Sequence, residues 1–255
     1  MNRTSSSGKR ERADRLLVSQ GLAATRSQAQ ALLLAGRVYF GEQRIDKAGT
    51  LLDKETQLTV RSGPRFVSRG GLKLEAALTS FGFDVEGLTA VDIGASTGGF
   101  TDCLLQRGAC KVYAVDVGQG QLAPKLRDDP RVVVMERTNA RHLERANFGD
   151  AVDLVVVDAS FISLEKLLDA IVRILTRNGS LLALIKPQFE VGKGAASRSQ
   201  GVIRDEALRT QAIGRVLDAI VAKGFSISGS ADSALKGPKG NLEHFVLARL
   251  DGDSA

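Results

Sequence analysis

The chain has no tryptophan, two tyrosines, two histidines and two cysteines in 255 residues. Cys103 and Cys110 are too few for a disulfide framework, and their spacing fits no common zinc pattern. With so little histidine to assist, no metal site is expected. An aromatic content of 5% argues against recognition by many stacked bases. No apolar stretch approaches the roughly 18 residues that a membrane-spanning helix needs. Met1 to Lys9 is polar and serine-rich and lacks the apolar core of a secretory signal. These absences predict a cytoplasmic protein with no membrane partner.

What is present has the composition of a globular chain, 43% apolar and 25% charged, in a length between one and two domains. The net charge of +6 is unevenly spread. Residues 1–73 contain 14 Lys+Arg against 6 Asp+Glu, whereas the remainder contains 21 against 23. All the net positive charge therefore sits at the N-terminal end. A basic solvated face is the plain alternative, but the asymmetry points to a polyanion-binding module on a near-neutral body.

Residues 1–10 read as a disordered basic tail. From Glu11 the pattern is helical, with Ala13, Leu16 and Leu17 on one face and a stop at Gly21. Thr25 or Ser27 can cap a second helix carrying Ala29, Leu32 and Leu33, which Gly36 ends. Val38 and Phe40 open a strand, 41–43 turns, Ile45 begins the return, and Leu58 and Val60 close a small sheet. Arg12, Arg15, Arg26, Arg37 and Arg44 fall on or beside these elements, where phosphates of folded RNA would suit them. The strings Arg12-Ala-Asp-Arg-Leu-Leu, Thr25-Arg-Ser-Gln-Ala and Ala35-Gly-Arg-Val-Tyr resemble the S-four RNA-binding domain, which indicates RNA without naming a reaction. This domain is expected over 11–60, with a linker over 61–66 where Gly63-Pro64 breaks regular structure.

From residue 67 to 250 helices alternate with apolar strands, which predicts an α/β class with a largely parallel, doubly covered sheet. The expected strands are Thr89–Ile93, Lys111–Val115, Val132–Met135, Leu154–Val157, Ser180–Ile185, Phe225–Ser228 and His244–Leu250. Helices are expected around Leu72–Phe81, 100–107, 163–176 and 205–223.

The first of these strands ends in Asp92-Ile-Gly-Ala-Ser-Thr-Gly-Gly-Phe100. Gly94 and Gly99 have the spacing of a phosphate-cradling loop, but the lysine such a loop needs is Phe100 here. Nor is the order that of a dinucleotide fingerprint. Asp116 ends the second strand, where a carboxylate can accept hydrogen bonds from both ribose hydroxyls. That combination fits an adenosine ligand without phosphates, whose cationic partner would be a sulfonium. A tight turn for Gly98-Gly99 and a helix cap for Asp116 are the plain alternatives.

These residues resemble the cofactor motifs of class I S-adenosylmethionine-dependent methyltransferases, a Rossmann-like fold. The resemblance implies Asp92, Gly94, Ser96, Gly98, Gly99 and Phe100 as cofactor contacts, with Asp92 and Gly94 by the methionine end. It likewise implies Asp116 at the ribose, Asn139 at the adenine edge, and Val117, Ala140 and Asp158 as further cofactor contacts.

Four further polar residues lie at loop edges of the same sheet: Lys73 before the first strand, Asp158 after Leu154–Val157, Lys186 before Pro187, and Glu243 at the last strand. Singly each reads as solvated or paired for stability; together they are harder to dismiss. With Val67-Ser-Arg-Gly-Gly-Leu-Lys-Leu74, Glu136-Arg-Thr-Asn-Ala-Arg141, Ser160-Phe-Ile-Ser-Leu164 and Lys186-Pro-Gln-Phe-Glu-Val-Gly-Lys193, the chain is similar to the FtsJ-like RNA ribose methyltransferases, and most closely to the TlyA family of hemolysin-named ribosomal RNA 2′-O-methyltransferases. The resemblance implies Lys73, Asp158, Lys186 and Glu243 as the catalytic set, S-adenosylmethionine as cofactor, and ribosomal RNA in ribosomal subunits as partner, with cytidine as the nucleoside. Gly63-Pro-Arg-Phe66 lacks the tryptophan that some members carry at this point.

Lys186 is then expected nearest the 2′-oxygen, stabilising developing negative charge or accepting the proton if neutral, with Asp158 holding it and opposing the second role. Lys73 and Glu243 are expected to position the ribose and the second lysine. A base methyltransferase, an RNA-binding protein without catalysis and a pore-forming hemolysin are the rival classes. The lysine–acid set opposes the first, cofactor binding tests the second, and the third lacks a strongly amphipathic segment. The short stretch after the last strand suggests activity on the large subunit alone.

Overall fold

The computed structural model describes residues 9–160, 162–191 and 202–252. Most of the expected tail, Phe161 and the Gly-Lys end of the Lys186 string lie outside the described residues. The chain divides into two compact units, Met1–Arg65 and Phe66–Ala255. Phe66, expected in the linker, is buried in the core of the second unit.

In the first unit β1 (Arg10–Arg12) leads into α1 (Ala13–Ser19), followed by α2 (Arg26–Leu34). Thr25 caps α2 by accepting the Gln28 amide at 3.2 Å, as its sequence position predicts. β2 (Val38–Phe40), β3 (Gln43–Arg44), β4 (Leu51–Asp53) and β5 (Thr59–Val60) follow. β2 lies between β3 and β5, antiparallel to both, and β4 pairs with β1. Two expectations are corrected here. The helix begins at Ala13 rather than Glu11, because the main chain of Arg10–Arg12 is taken up in the β1–β4 ladder. The return strand begins at Gln43 rather than Ile45, because Gly41-Glu42 alone closes the hairpin and sets Gln43 opposite Phe40. Leu16, Leu17, Leu33, Val38, Ile45 and Leu58 form the core of the unit.

The second unit carries β6 (Thr89–Ile93), β7 (Lys111–Val115), β8 (Val132–Met135), β9 (Val152–Val157), β10 (Leu175–Ile185), β11 (Phe225–Asp232) and β12 (His244–Leu250). Its helices are α3 (Arg69–Phe81), α4 (Gly99–Gln106), α5 (Pro124–Arg127), α6 (Leu168–Ile174), α7 (Pro187–Glu190) and α8 (Glu206–Ala222). The seven strands form one sheet in the order β11-β12-β10-β9-β6-β7-β8. β8, β7, β6, β9 and β10 are parallel, but β12 runs antiparallel between β10 and β11. The connection from Ser233 to Glu243 is too short for the crossover that a parallel neighbour needs.

Alternation along the strands sorts side chains onto two cores. Leu154 and Val156 face α3 and α4 with Leu74, Leu78 and Leu104, while Val155 and Val157 face Ile171, Ile174 and Val216 on the other side. Each such burial contributes roughly 1.5–3 kcal/mol. The expected helix over 163–176 is divided: a 3-10 turn at Leu164–Lys166 precedes α6, and Leu175 leaves it in extended conformation to pair with Val152. From β6 the chain builds outward to β8, then returns to β9 on the other side of β6. The loops after β6 and β9 therefore diverge, and a crevice opens at their carboxyl ends.

Candidate active site

That crevice is a cavity of about 990 Å³. The loop after β6 supplies Gly94 and Ser96, the start of α4 that follows it supplies Gly99 and Phe100, and the end of β7 supplies Asp116 and Val117. Asn139 and Ala140 enter after β8, Asp158 after β9, Lys186 after β10, and Lys73 from α3. Five parallel strand ends and one helix thus bring these sequence-predicted residues together.

Two expected cofactor residues do not line it. Asp92 lies beneath the loop, wholly buried. Its Oδ2 accepts from the Thr101 amide at 2.9 Å and the Thr101 hydroxyl at 2.7 Å, whereas Oδ1 has no hydrogen-bond partner. Burial pushes this carboxyl up to about 7, against the Thr101 bonds and with a smaller contribution from the Asp158 charge. Gly98 turns the chain at φ +96°, and a Cβ there would stand 2.3 Å from Leu126 Cδ1. Its lack of a side chain serves packing against α5 rather than approach to a ligand.

Asp116 is held from both sides before any ligand arrives. Its Oδ2 accepts the Ser96 amide at 2.8 Å and its Oδ1 the Gly118 amide at 2.7 Å. Asn139 Oδ1 caps the short turn Ala140–His142 by accepting from the Arg141 amide, which leaves its NH₂ donors. Val117 is 72% exposed at the rim.

The four residues of the expected catalytic set form two ion pairs. Lys186 Nζ lies 2.7 Å from Asp158 Oδ1, and also donates to Ser160 Oγ at 2.9 Å and to the Asp158 carbonyl at 3.2 Å. Lys73 Nζ donates to Glu243 Oε2 at 2.5 Å. Glu243 is wholly buried behind Lys73 and does not line the cavity. Gly237 lies so close that a Cβ would stand 2.2 Å from Glu243 Oε1.

Sequence reasoning assigned no role to Ser160, Arg69 or Lys236. Ser160 binds Lys186, and the other two line the cavity. Ser160 belongs to a family-like string and Arg69 adjoins Lys73 in another; for Lys236 no sequence signal existed, because its loop reaches the cavity only through the β11–β12 pairing.

In the first unit Arg12 and Arg26 are both committed to Asp14. Arg12 donates Nε to Oδ1 at 3.0 Å and a terminal nitrogen to Oδ2 at 3.1 Å, Arg26 donates Nε to Oδ2 at 2.8 Å, and Gln30 adds a fourth bond at 3.1 Å. The Arg12 bond above all holds this buried carboxyl well below the usual carboxylate range, against the cost of burial. Arg44 pairs with Asp46, and Arg15 and Arg37 are exposed.

The FtsJ-like methyltransferase profile matches residues 66–250, and the S4 domain profile matches residues 11–58. The chain is 47% identical over 249 residues to the "16S/23S rRNA (cytidine-2'-O)-methyltransferase TlyA" of Mycobacterium tuberculosis, covering 97% of this chain and 92% of the relative. A solved structure of a hemolysin-named protein from Streptococcus thermophilus is 41% identical with a TM-score of 0.72, covering 97% of this chain and 92% of that one. The S-adenosylmethionine dependent methyltransferase from Mesorhizobium loti shares the fold at 17% identity and a TM-score of 0.51, over 68% of this chain and 96% of that one. The site just described is therefore carried by a chain that belongs to the FtsJ-like methyltransferase family, with an S4 domain ahead of its methyltransferase domain.

Proposed function

We infer that this chain transfers a methyl group from S-adenosylmethionine to a ribose 2′-hydroxyl of ribosomal RNA, with cytidine as the nucleoside. The observation that carries the reading is Lys186, fixed by Asp158 and Ser160 at the wall of a cavity that also holds Asp116.

The residues present fit the cofactor. Asp116 keeps lone pairs for two ribose hydroxyls while backbone amides hold it in place. Ile93, Val115, Ile162 and Leu167 offer apolar wall for an adenine. A cationic ligand over the loop would favour the ionised form of Asp92, whose buried Oδ1 has no hydrogen-bond partner. When bound, the cofactor supplies an electrophilic methyl carbon on a sulfonium.

Lys186 would direct its ammonium at the ribose oxygen, exchanging the neutral Ser160 bond for the substrate and stabilising negative charge as it develops, while the hydroxyl proton would pass to water in the open cavity. Asp158 would hold the ammonium in place and so fix the line from oxygen to methyl carbon. Lys73, anchored by Glu243, would position the ribose from the opposite side. The S4 domain would supply affinity for structured RNA, in keeping with the +6 balance of residues 1–65, the unit that holds it.

The test supplies isotopically labelled S-adenosylmethionine with unmodified small and large ribosomal subunits and maps the product by mass spectrometry. A 2′-O-methylated cytidine is expected, on the large subunit at least. Label on a base, or none on either subunit, would sink the reading.

A further inference from the structure

Two cationic side chains at the cavity, Arg69 and Lys236, have no role in the mechanism above, and a third, Arg141, donates to Asn139 Oδ1. Arg69 is the first residue of α3, and Lys236 lies in the loop between β11 and β12. Although 167 positions apart, they are brought together by an Arg69 guanidinium bond to the Lys236 carbonyl at 3.3 Å. Both line the cavity, and both are exposed.

Their charge is uncommitted in a way that the catalytic lysines' charge is not. Lys73 faces Glu243 and Lys186 faces Asp158. Among the described residues, neither Arg69 nor Lys236 forms an ion pair. Residues 66–255 contain 23 Lys+Arg and 23 Asp+Glu, so this unit as a whole is neutral. The cavity wall is not: Arg69, Lys73, Arg141, Lys186 and Lys236 stand against only Asp116 and Asp158. Such an excess at the wall of a neutral body is built for an anion.

The chemistry of the proposed substrate names that anion. A ribose 2′-oxygen and the 3′-phosphate sit on neighbouring carbons, so an RNA hydroxyl brought to Lys186 carries a phosphodiester with it. Resting on the 2′-O-methyltransferase reading, we propose that Arg69 and Lys236 form a receiving site for the phosphodiester 3′ to the methylated nucleotide. Arg69 supplies a planar fork matched to phosphate oxygens, and Lys236 a mobile point charge. The site selects a hydroxyl that is internal to an RNA chain over the same hydroxyl on a free nucleoside. It also fixes the orientation of the ribose, and with it the line from the 2′-oxygen to the methyl carbon.

The rival anion is the cofactor's own carboxylate, and one experiment separates the two. Full-length Arg69→Ala, Lys236→Ala and the double variant are assayed on ribosomal subunits for KM, kcat and S-adenosylmethionine affinity. The subunit is also reconstituted with ligated RNA bearing a neutral methylphosphonate 3′ to the mapped nucleotide. Each single variant is expected to raise KM for RNA about tenfold and flatten its salt dependence, with cofactor affinity kept. The methylphosphonate should cost the wild type about as much as the double variant loses, and should cost the double variant little more. Wild-type indifference to the methylphosphonate would overturn the proposal, as would a cofactor affinity that falls in step with KM. Absence of any 2′-O-methyl product from the wild type would instead count against the parent reading.

Discussion

Lys73 Nζ and Glu243 Oε2 lie 2.5 Å apart, with both side chains almost wholly withdrawn from water. One end of the pair faces the cavity, while the other oxygen of Glu243 has no hydrogen-bond partner. Lys73→Met strands a buried carboxylate and should destabilise the protein by about 3–5 kcal/mol. Lys73→Met with Glu243→Leu removes both charges and should recover most of that stability, while turnover stays low. Denaturant unfolding beside single-turnover methylation checks this; turnover that returns with stability would make the pair structural only.

Lys186 presents a cleaner separation, because Asp158 is partly exposed and can be solvated when its partner is lost. Lys186→Met keeps the stem of the side chain and should leave S-adenosylmethionine and RNA affinities near wild type. Turnover should fall by roughly two orders of magnitude or more. Lys186→Arg should also be poor, since a broad fork cannot meet Asp158, Ser160 and the substrate from the same point. Single-turnover rates decide it: near-normal methylation by Lys186→Met would remove Lys186 from the chemistry.

Asp92 predicts a pH dependence of stability. Its carboxyl releases a proton near 3.9 when unfolded and at about 7 when folded. Between those values the folded chain binds more protons, so this group's contribution to stability falls as pH rises and levels off above 7. Asp92→Asn keeps an acceptor for the Thr101 amide and hydroxyl. It should flatten that segment of the curve and stabilise the protein at pH 8 by roughly 2–4 kcal/mol. Urea unfolding from pH 4 to pH 8 measures the slope, and an unchanged slope would show that Asp92 does not titrate there.

In the first unit, arginines of similar sequence character should part company. Arg15→Ala should weaken RNA binding and lower the salt slope by about one, with stability unchanged. Arg12→Ala should do both kinds of damage, because it also takes a partner from buried Asp14, at a cost of about 1–3 kcal/mol. Thermal unfolding and salt-titrated RNA binding of the two variants distinguish the cases. Equal stability losses would place Arg15 in the fold rather than on the RNA surface.

Local pattern made much of this protein legible in its sequence. Thr89–Ile93, Lys111–Val115, Val132–Met135 and His244–Leu250 form strands with the expected ends, because Val/Leu-rich runs bounded by glycine and aspartate carry their own limits. Asp116, Asp158 and Lys186 could be singled out because a charge directly after a buried strand has few reasons to be there. Tertiary structure decided the rest, where a residue's role is set by what arrives from elsewhere. Arg10–Arg12 is a strand only because Leu51–Asp53 lies beside it. Arg12 and Arg26 read in the sequence as phosphate ligands alone, and their shared bonds to Asp14 exist only because α1 and α2 close around it. Glu243 is a buried anchor, and Lys236 a cavity residue, because β12 returns antiparallel between two strands and carries its loop to the carboxyl end of the sheet. Hydrophobic periodicity is a property of neighbours in sequence, whereas the pairing of charges across more than a hundred residues is a property of the packed sheet.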